Sequence, residues 1–239
     1  MARLAAADGV RRVVATPHLQ GWNVRGCLRA EAGVQSLLRE LSLGRVRLQV
    51  YRGAELMVTH DLLEPSHHER EHTLNRSRYV LLELPMYDYP LYTEDVVFGL
   101  QMRGLVPVLA HPERSAPLQD DINRMAALAR RGVLGQVTAS SLTERADRKV
   151  RRCAERLVKR GFIHLIASDA HDPTRRGPGL SEGVGAAARL VGEERARAMV
   201  TRIPEAILAD RPIDPSWLAP PQPARWWRVL LDLGSEEAA

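Results

Sequence analysis

Apolar and polar positions along this 239-residue chain alternate between two periods. Six short runs, β-branched or leucine-rich, carry a polar residue at the exit: 11–18 (RRVVATPH), 47–55 (RLQVYRGAE), 78–84 (RYVLLEL), 106–111 (VPVLAH), 132–138 (GVLGQVT) and 162–169 (FIHLIASD). Such runs predict buried strands of a parallel sheet. Between them, apolar residues recur at helical spacing over about 28–42, 93–103, 120–131 and 143–160. Gly104, Gly132 and Gly161 stand where helix C-caps are expected. Thr93 followed by Glu94 and Asp95, and the pair Asp120–Asp121, predict helix starts. Strands alternating with helices imply βα units, and therefore a parallel sheet or a (β/α) barrel.

The strand exits sharpen that choice. They carry His18, Glu55, Glu83, His111, Gln136, and then Asp169 with His171, at spacings of 37, 28, 28, 25 and 33 residues. Each spacing is close to one βα unit, so successive strands deliver polar, metal-ligating side chains to one rim, as on the C-terminal face of a barrel. Any one of these residues alone reads as a turn cap or a satisfied core histidine, but their joint recurrence points to a metal site. Three imidazoles and three carboxylates form a mixed nitrogen and oxygen set that suits Mn²⁺, Fe or Zn²⁺ and disfavours a thiolate site. So many carboxylates imply a multinuclear centre with a bridging carboxylate, able to activate water and clamp a phosphoryl group. Arg114, in the sequence HPER, is placed to reach the same mouth, and its fork of donors suits phosphate. Its plainer reading is an ion pair with Glu113 or another carboxylate. Arg175 and Arg176, in DPTRRGPG, are further phosphate contacts.

Composition removes several alternatives. The formal net charge of +5 comes mostly from arginines scattered along helices, which reads as a solvated face and no nucleic-acid motif, though it can favour an anionic substrate. Cys27 and Cys153 are too distant in sequence to suggest a disulfide framework, so a reduced, cytoplasmic setting is expected. No apolar stretch approaches the roughly 20 residues that a membrane helix needs. A cysteine phosphatase requires an arginine six positions after its nucleophile, where this chain has Gly33 and Lys159. Cys153 is expected to pack within its helix. A GxSxG elbow and a glycine-rich phosphate loop are also absent from the sequence. His67, His68 and His72 read as an exposed loop or helix face, His60 as a surface helix start, and His164 as unassigned within the last strand.

VATPH at 14–18, GAEL at 53–56, TLNRSRYVLLELP at 73–85, GLVPVLAHPER at 104–114 and ASDAH at 167–171 together resemble one family. It is the bacterial tyrosine phosphatase family of capsule and exopolysaccharide biosynthesis (CpsB/CapC type), within the PHP (polymerase and histidinol phosphatase) superfamily. The resemblance runs from about residue 3 to about residue 210, and TLNxSRYxLxE is its most specific part. It implies a distorted TIM-like (β/α)7 barrel holding up to three metal ions, often Mn²⁺. It also implies hydrolysis of phosphotyrosine on the tyrosine-rich tail of a bacterial tyrosine kinase. Matched to the family motifs, Glu55 bridges metals, His18, Glu83, His111, Asp169 and His171 are further ligands, and Arg114 and Arg176 steady the phosphate. The family opens with a strand bearing His-x-His and an acidic turn, whereas this sequence starts at Met1 inside an expected helix and contains no HxH. Two explanations fit: an internal methionine recorded as the start, or a truncated form lacking the first strand. Alternative readings are a PHP phosphoesterase for a small phosphate monoester and an impaired remnant that only binds. Residues 1–211 are expected to form the metallophosphatase domain. Residues 212–239 are expected to form a Pro-rich tail with an amphipathic piece at Trp226, Trp227, Leu230 and Leu231.

Overall fold

The structure, a computed structural model, describes residues 1–219. Its strands are β1 (Arg12–Ala15), β2 (His18–Leu19), β3 (Gln49–Arg52), β4 (Glu55–Met57), β5 (Tyr79–Glu83), β6 (Val106–Ala110), β7 (Leu134–Thr138) and β8 (Leu165–Ala167). The first helices are α1 (Ala2–Ala7), α2 (Val24–Leu43), α3 (Glu69–His72), α4 (Thr93–Met102), α5 (Ala116–Asp120) and α6 (Asn123–Arg130). Then follow α7 (Arg148–Lys159), α8 (Ser181–Val191), α9 (Glu193–Ala198), α10 (Arg202–Leu208) and α11 (Pro215–Leu218).

All pairings are parallel. β1 pairs with β3, and the main sheet runs β2-β4-β5-β6-β7-β8. β1 and β2 are one strand bent at Thr16–Pro17, and β3 and β4 one strand bent at Gly53–Ala54, so the six expected strands lie side by side in sequence order. Proline cannot donate to the ladder, and a Cβ on Gly53 would come within 3.0 Å of Val14, so both bends follow from the residues that make them.

Alternation along the strands gives the sheet two faces. Leu56, Val80, Leu82, Leu109, Val137 and Ile166 point to one side, where Val96, Leu100, Met125, Leu128, Leu157 and Ala187 of the helices cover them. Tyr79, Leu81, Val108, Ala110, Leu134 and Leu165 point to the other side. There α10 supplies Ile203 and Ile207, and Ile213 completes the plug. Hydrogen bonds lock that plug, from Tyr79 Oη to the Arg211 carbonyl (2.8 Å) and from the Arg78 backbone N–H to Asp210 Oδ1 (2.7 Å). The layer of polar exits therefore sits above a dry, filled interior.

Among the described residues the sheet is not closed: β8 pairs with β7 alone and β1 with β3 alone, leaving two open edges. The sheet nevertheless curls, because the His18 and His171 rings, carried by its two end strands, have centroids 6.1 Å apart. The N-terminal segment also reaches the far edge, where Asp8 Oδ2 accepts the backbone N–H groups of Leu180 (2.5 Å) and Ser181 (3.0 Å) at the start of α8. The expected helix over 120–131 begins only at Asn123, as α6, after the separate short α5 has ended at Asp120; in the turn between them the Asp121 side chain accepts the Asn123 N–H (3.0 Å). The expected helix over 143–160 begins only at Arg148, where Asp147 Oδ1 accepts the Lys149 N–H (2.8 Å). Gln136 is the middle residue of β7 and not its exit. Gly104, Gly132 and Gly161 do follow helices at positive φ (77°, 83° and 74°), as their C-cap reading requires.

His72 was expected on an exposed face and is instead fully buried, edge-on to Trp22 and bonded through Nδ1 to the His68 carbonyl. The packing against Trp22 is a contact that helical spacing alone does not show. His67, His68 and His60 are exposed as expected. Cys153 is buried on α7, and burial pushes its thiol up to about 11, which fits a packing residue. Residues just past 211 pack on the domain: the Trp217 carbonyl accepts from Arg195 (3.0 Å), and Arg202 lies 5.3 Å over its ring. Trp226, Trp227, Leu230 and Leu231 lie outside the described residues.

Candidate metal centre

Register explains why the exits converge. His18 stands opposite Glu55, and Glu55 opposite Leu81, so Glu83, two residues on, shares the face of Glu55. The same parity passes through Val108 and Ala110 on β6. Strict alternation would throw His111, the next residue, onto the helix-covered face. His111 instead takes a left-handed conformation (φ 30°, ψ 53°) before the single turn Pro112–Arg114. That uncommon backbone returns its ring to the mouth, where Nε2 lies 2.9 Å from Glu55 Oε1 and 3.5 Å from Glu83 Oε1.

The other oxygen of Glu83 lies 3.2 Å from His18 Nδ1. His18, Glu55 and Glu83 each offer a donor atom, all within 4.8 Å of one another. Burial opposes charging His111, but the hydrogen bond and charge of Glu55, helped by Glu113 and Asp169, outweigh it and hold its pKa above the ordinary value. This is an electron-rich cluster whose negative charge is met, among the described residues, by imidazole, the chemistry of a cation site. The residues present fit a divalent metal by donor type and by mutual reach.

On the far side of the mouth Asp169 also has positive φ (50°). Its carboxylate is 8% exposed and is taken by two guanidiniums, Arg114 at 2.6 Å and Arg176 through Nη2. His171 Nδ1 lies 3.0 Å from the Asp169 carbonyl and 3.6 Å from Oδ1. The Asp172 side chain accepts the backbone N–H groups of Thr174 (2.8 Å) and Arg175 (2.6 Å), which shapes the loop that aims Arg176. Arg175 points to solvent. Arg176 Nε is buried without a partner among the described residues.

Sequence reasoning therefore named eight residues that the structure gathers at one mouth: His18, Glu55, Glu83, His111, Asp169, His171, Arg114 and Arg176. The plainer reading of Arg114 is also realised, with Asp169 as the partner carboxylate and not Glu113. Glu113 was missed as a supporting residue. It is fully buried, its Oε1 accepts the Thr138 N–H (3.0 Å), and burial raises its pKa. Gln119 bonds the Glu113 carbonyl (2.7 Å), so the HPER turn is held from beneath and from the side. A carboxylate inside a motif otherwise made of site residues was the available signal. Met86 was missed too: it lines the cleft with Glu83, His111 and Arg114.

Residues 1–209 match the family described as capsular polysaccharide synthesis, CpsB/CapC. The chain is 31% identical over 173 residues to a putative tyrosine-protein phosphatase, CapC, of Staphylococcus aureus, covering 72% of this chain and 68% of that protein. It is 29% identical over 228 residues to the tyrosine-protein phosphatase YwqE of Bacillus subtilis (strain 168), covering 94% and 87%. Among solved structures it is similar to a chain from the crystal structures of YwqE from Bacillus subtilis and CpsB from Streptococcus pneumoniae, described as unique metal-dependent tyrosine phosphatases. The TM-score there is 0.83, with 28% identity, 94% of this chain covered and 90% of that chain. Family match and fold agree, and the chain belongs to the CpsB/CapC family of capsular polysaccharide synthesis.

Proposed function

We propose that this protein is a metal-dependent protein-tyrosine phosphatase, acting in the cytoplasm on the phosphotyrosine tail of a bacterial tyrosine kinase that controls capsule or exopolysaccharide synthesis. The observation that carries this reading is the meeting of His18, Glu55, Glu83 and His111 with the guanidiniums of Arg114 and Arg176 at one mouth. The named activities of CapC and YwqE support it.

Glu55, Glu83, His18 and His111 would hold the first metal, with Asp169 and His171 extending the site toward a second. Mn²⁺ is the leading candidate, and the nitrogen and oxygen donors also admit Fe or Zn²⁺. A divalent cation here supplies Lewis acidity toward phosphoryl oxygens and a water of lowered pKa. The protein's own groups do the rest. Glu55, the most buried of the ligating carboxylates, fixes the geometry, and its bond to His111 orients that ring. Arg114 and Arg176 now share Asp169, so release of that carboxylate leaves two forks of donors facing the mouth. Those forks match the equatorial oxygens of a phosphoryl group in ground and transition states. Arg176 Nε, buried without a partner among the described residues, is a further donor.

The test is metal analysis of purified protein, with phosphate release from a phosphotyrosine peptide measured with and without Mn²⁺ and compared with histidinol phosphate. Metal-dependent turnover of the peptide, lost on chelation and reduced by at least about 100-fold in His111→Ala and Arg114→Ala, is the expected result. Preference for histidinol phosphate would favour the small-molecule phosphoesterase. Full activity in either variant would overturn the site assignment. Peptide binding with no turnover in any metal would favour the binding remnant.

A further inference from the structure

Beyond the phosphate lies the question of what else in the substrate is recognised, and the loop after β5 offers an answer. Five of the eleven large apolar side chains exposed among the described residues fall between 86 and 102: Met86, Tyr87, Leu91, Phe98 and Met102. Met86 is 54% exposed, Tyr87 84% and Leu91 98%. Scattered single apolar residues on a surface need no explanation, but a cluster at the rim of a site does.

This loop is not loose. The Ala116 N–H donates to the Met86 carbonyl (2.8 Å), and Thr93 Oγ1 donates to the Pro90 carbonyl (2.6 Å). Between those anchors Tyr89 packs against the core, with Arg124 4.8 Å from its ring centre. Held at three points, the loop presents Met86, Tyr87 and Leu91 outward from a fixed backbone. Met86 also lines the cleft containing Glu83, His111 and Arg114, so the apolar lip is continuous with the phosphate end of the mouth.

We propose that residues 86–91 form the recognition lip for the aromatic ring of phosphotyrosine and the apolar residues flanking it, with Met86 in contact with the ring. This rests on the phosphatase reading and adds the residues that select the aryl ester. Arg114 and Met86 line the same cleft, so a phosphate held at Arg114 has Met86 beside its ester group. A tyrosyl ring is a rigid spacer that reaches the lip; a seryl linker is too short to cover it. A thioether at a ring edge is a favourable contact and adapts to varied flanking sequence.

Steady-state kinetics of the Mn²⁺-loaded full chain on a phosphotyrosine peptide with apolar flanks tests this, with inorganic phosphate as the competing probe. In Met86→Ala, KM rises about 3- to 10-fold with kcat within about twofold, the Ki of inorganic phosphate is unchanged, and Met86→Leu recovers most of the loss. Tyr87→Ala and Leu91→Ser give smaller rises, about twofold, that vanish when the flanking residues are replaced by glycine. An unchanged KM in Met86→Ala overturns the lip. So does an equal loss of phosphate affinity, which marks Met86 as a prop for the loop. A wild-type protein that turns over no phosphotyrosine overturns the phosphatase reading and this inference with it.

Discussion

The last strand carries a histidine at each end, and the two have opposite fates. His164, just before β8, is buried at 5% exposure, where its Nδ1 accepts the Gly135 N–H (3.2 Å). Burial, with Arg195 nearby, pushes its pKa down to about 4, so it stays neutral. His171, beyond the exit, is 41% exposed at its side chain and faces His18 across the mouth. The contrast extends to the whole sheet. Entries are closed by the α10 plug, where Asp210 takes the Arg78 N–H; exits gather carboxylates and imidazoles. In a parallel sheet the entry end is built for stability and the exit end for chemistry, and like residues take their meaning from the end they occupy.

The sharpest test of that division is at the exit. Glu83→Ala should remove metal binding, read by calorimetric titration, and lower activity by at least about 100-fold. Its melting temperature should hold or rise, because Glu55 loses a neighbouring carboxylate. A fall in stability like that of a core substitution would erase the distinction between the ends.

The entry is tested by pH. His164 takes a proton near 6.5 when unfolded and near 4 when folded, so the fold's preference for the neutral ring is fully present above pH 6.5 and lost as pH falls toward 4. Denaturant unfolding should show about 2 kcal/mol less stability at pH 5 than at pH 7 from this group alone. In His164→Asn, whose amide oxygen can accept the Gly135 N–H, that part of the slope should disappear. An unchanged slope would assign the acid loss to other groups. Least affected should be a change away from both ends. Asp147→Ala removes the α7 cap and should cost about 1 kcal/mol in urea unfolding, with kcat/KM unaltered.

Much of this molecule is legible in its sequence, for a physical reason. Strands buried on both faces must be apolar throughout, so RYVLLEL and VPVLAH announce themselves, and a polar residue ending such a run has to be explained. The candidate ligands at the strand exits and the three C-cap glycines could be named because each signal is local, whereas Arg114 and Arg176 were named from the HPER and DPTRRGPG stretches. What stayed hidden depends on partners distant in sequence. His72 is buried with its ring edge-on to Trp22, and Glu113 with its carboxylate on the Thr138 N–H.

By itself the sequence determined the order of βα units, the donor types at each exit and the family to which the motifs point. Only the tertiary structure decided that His111 turns back through a left-handed residue to meet Glu55, and that Asp169 holds both arginines. It alone showed the sheet curling without pairing its edge strands in residues 1–219. Periodicity fixes which residues a strand carries, whereas the direction of a side chain beyond the strand's last hydrogen bond is set by backbone torsions and by whatever the rest of the chain brings to meet it.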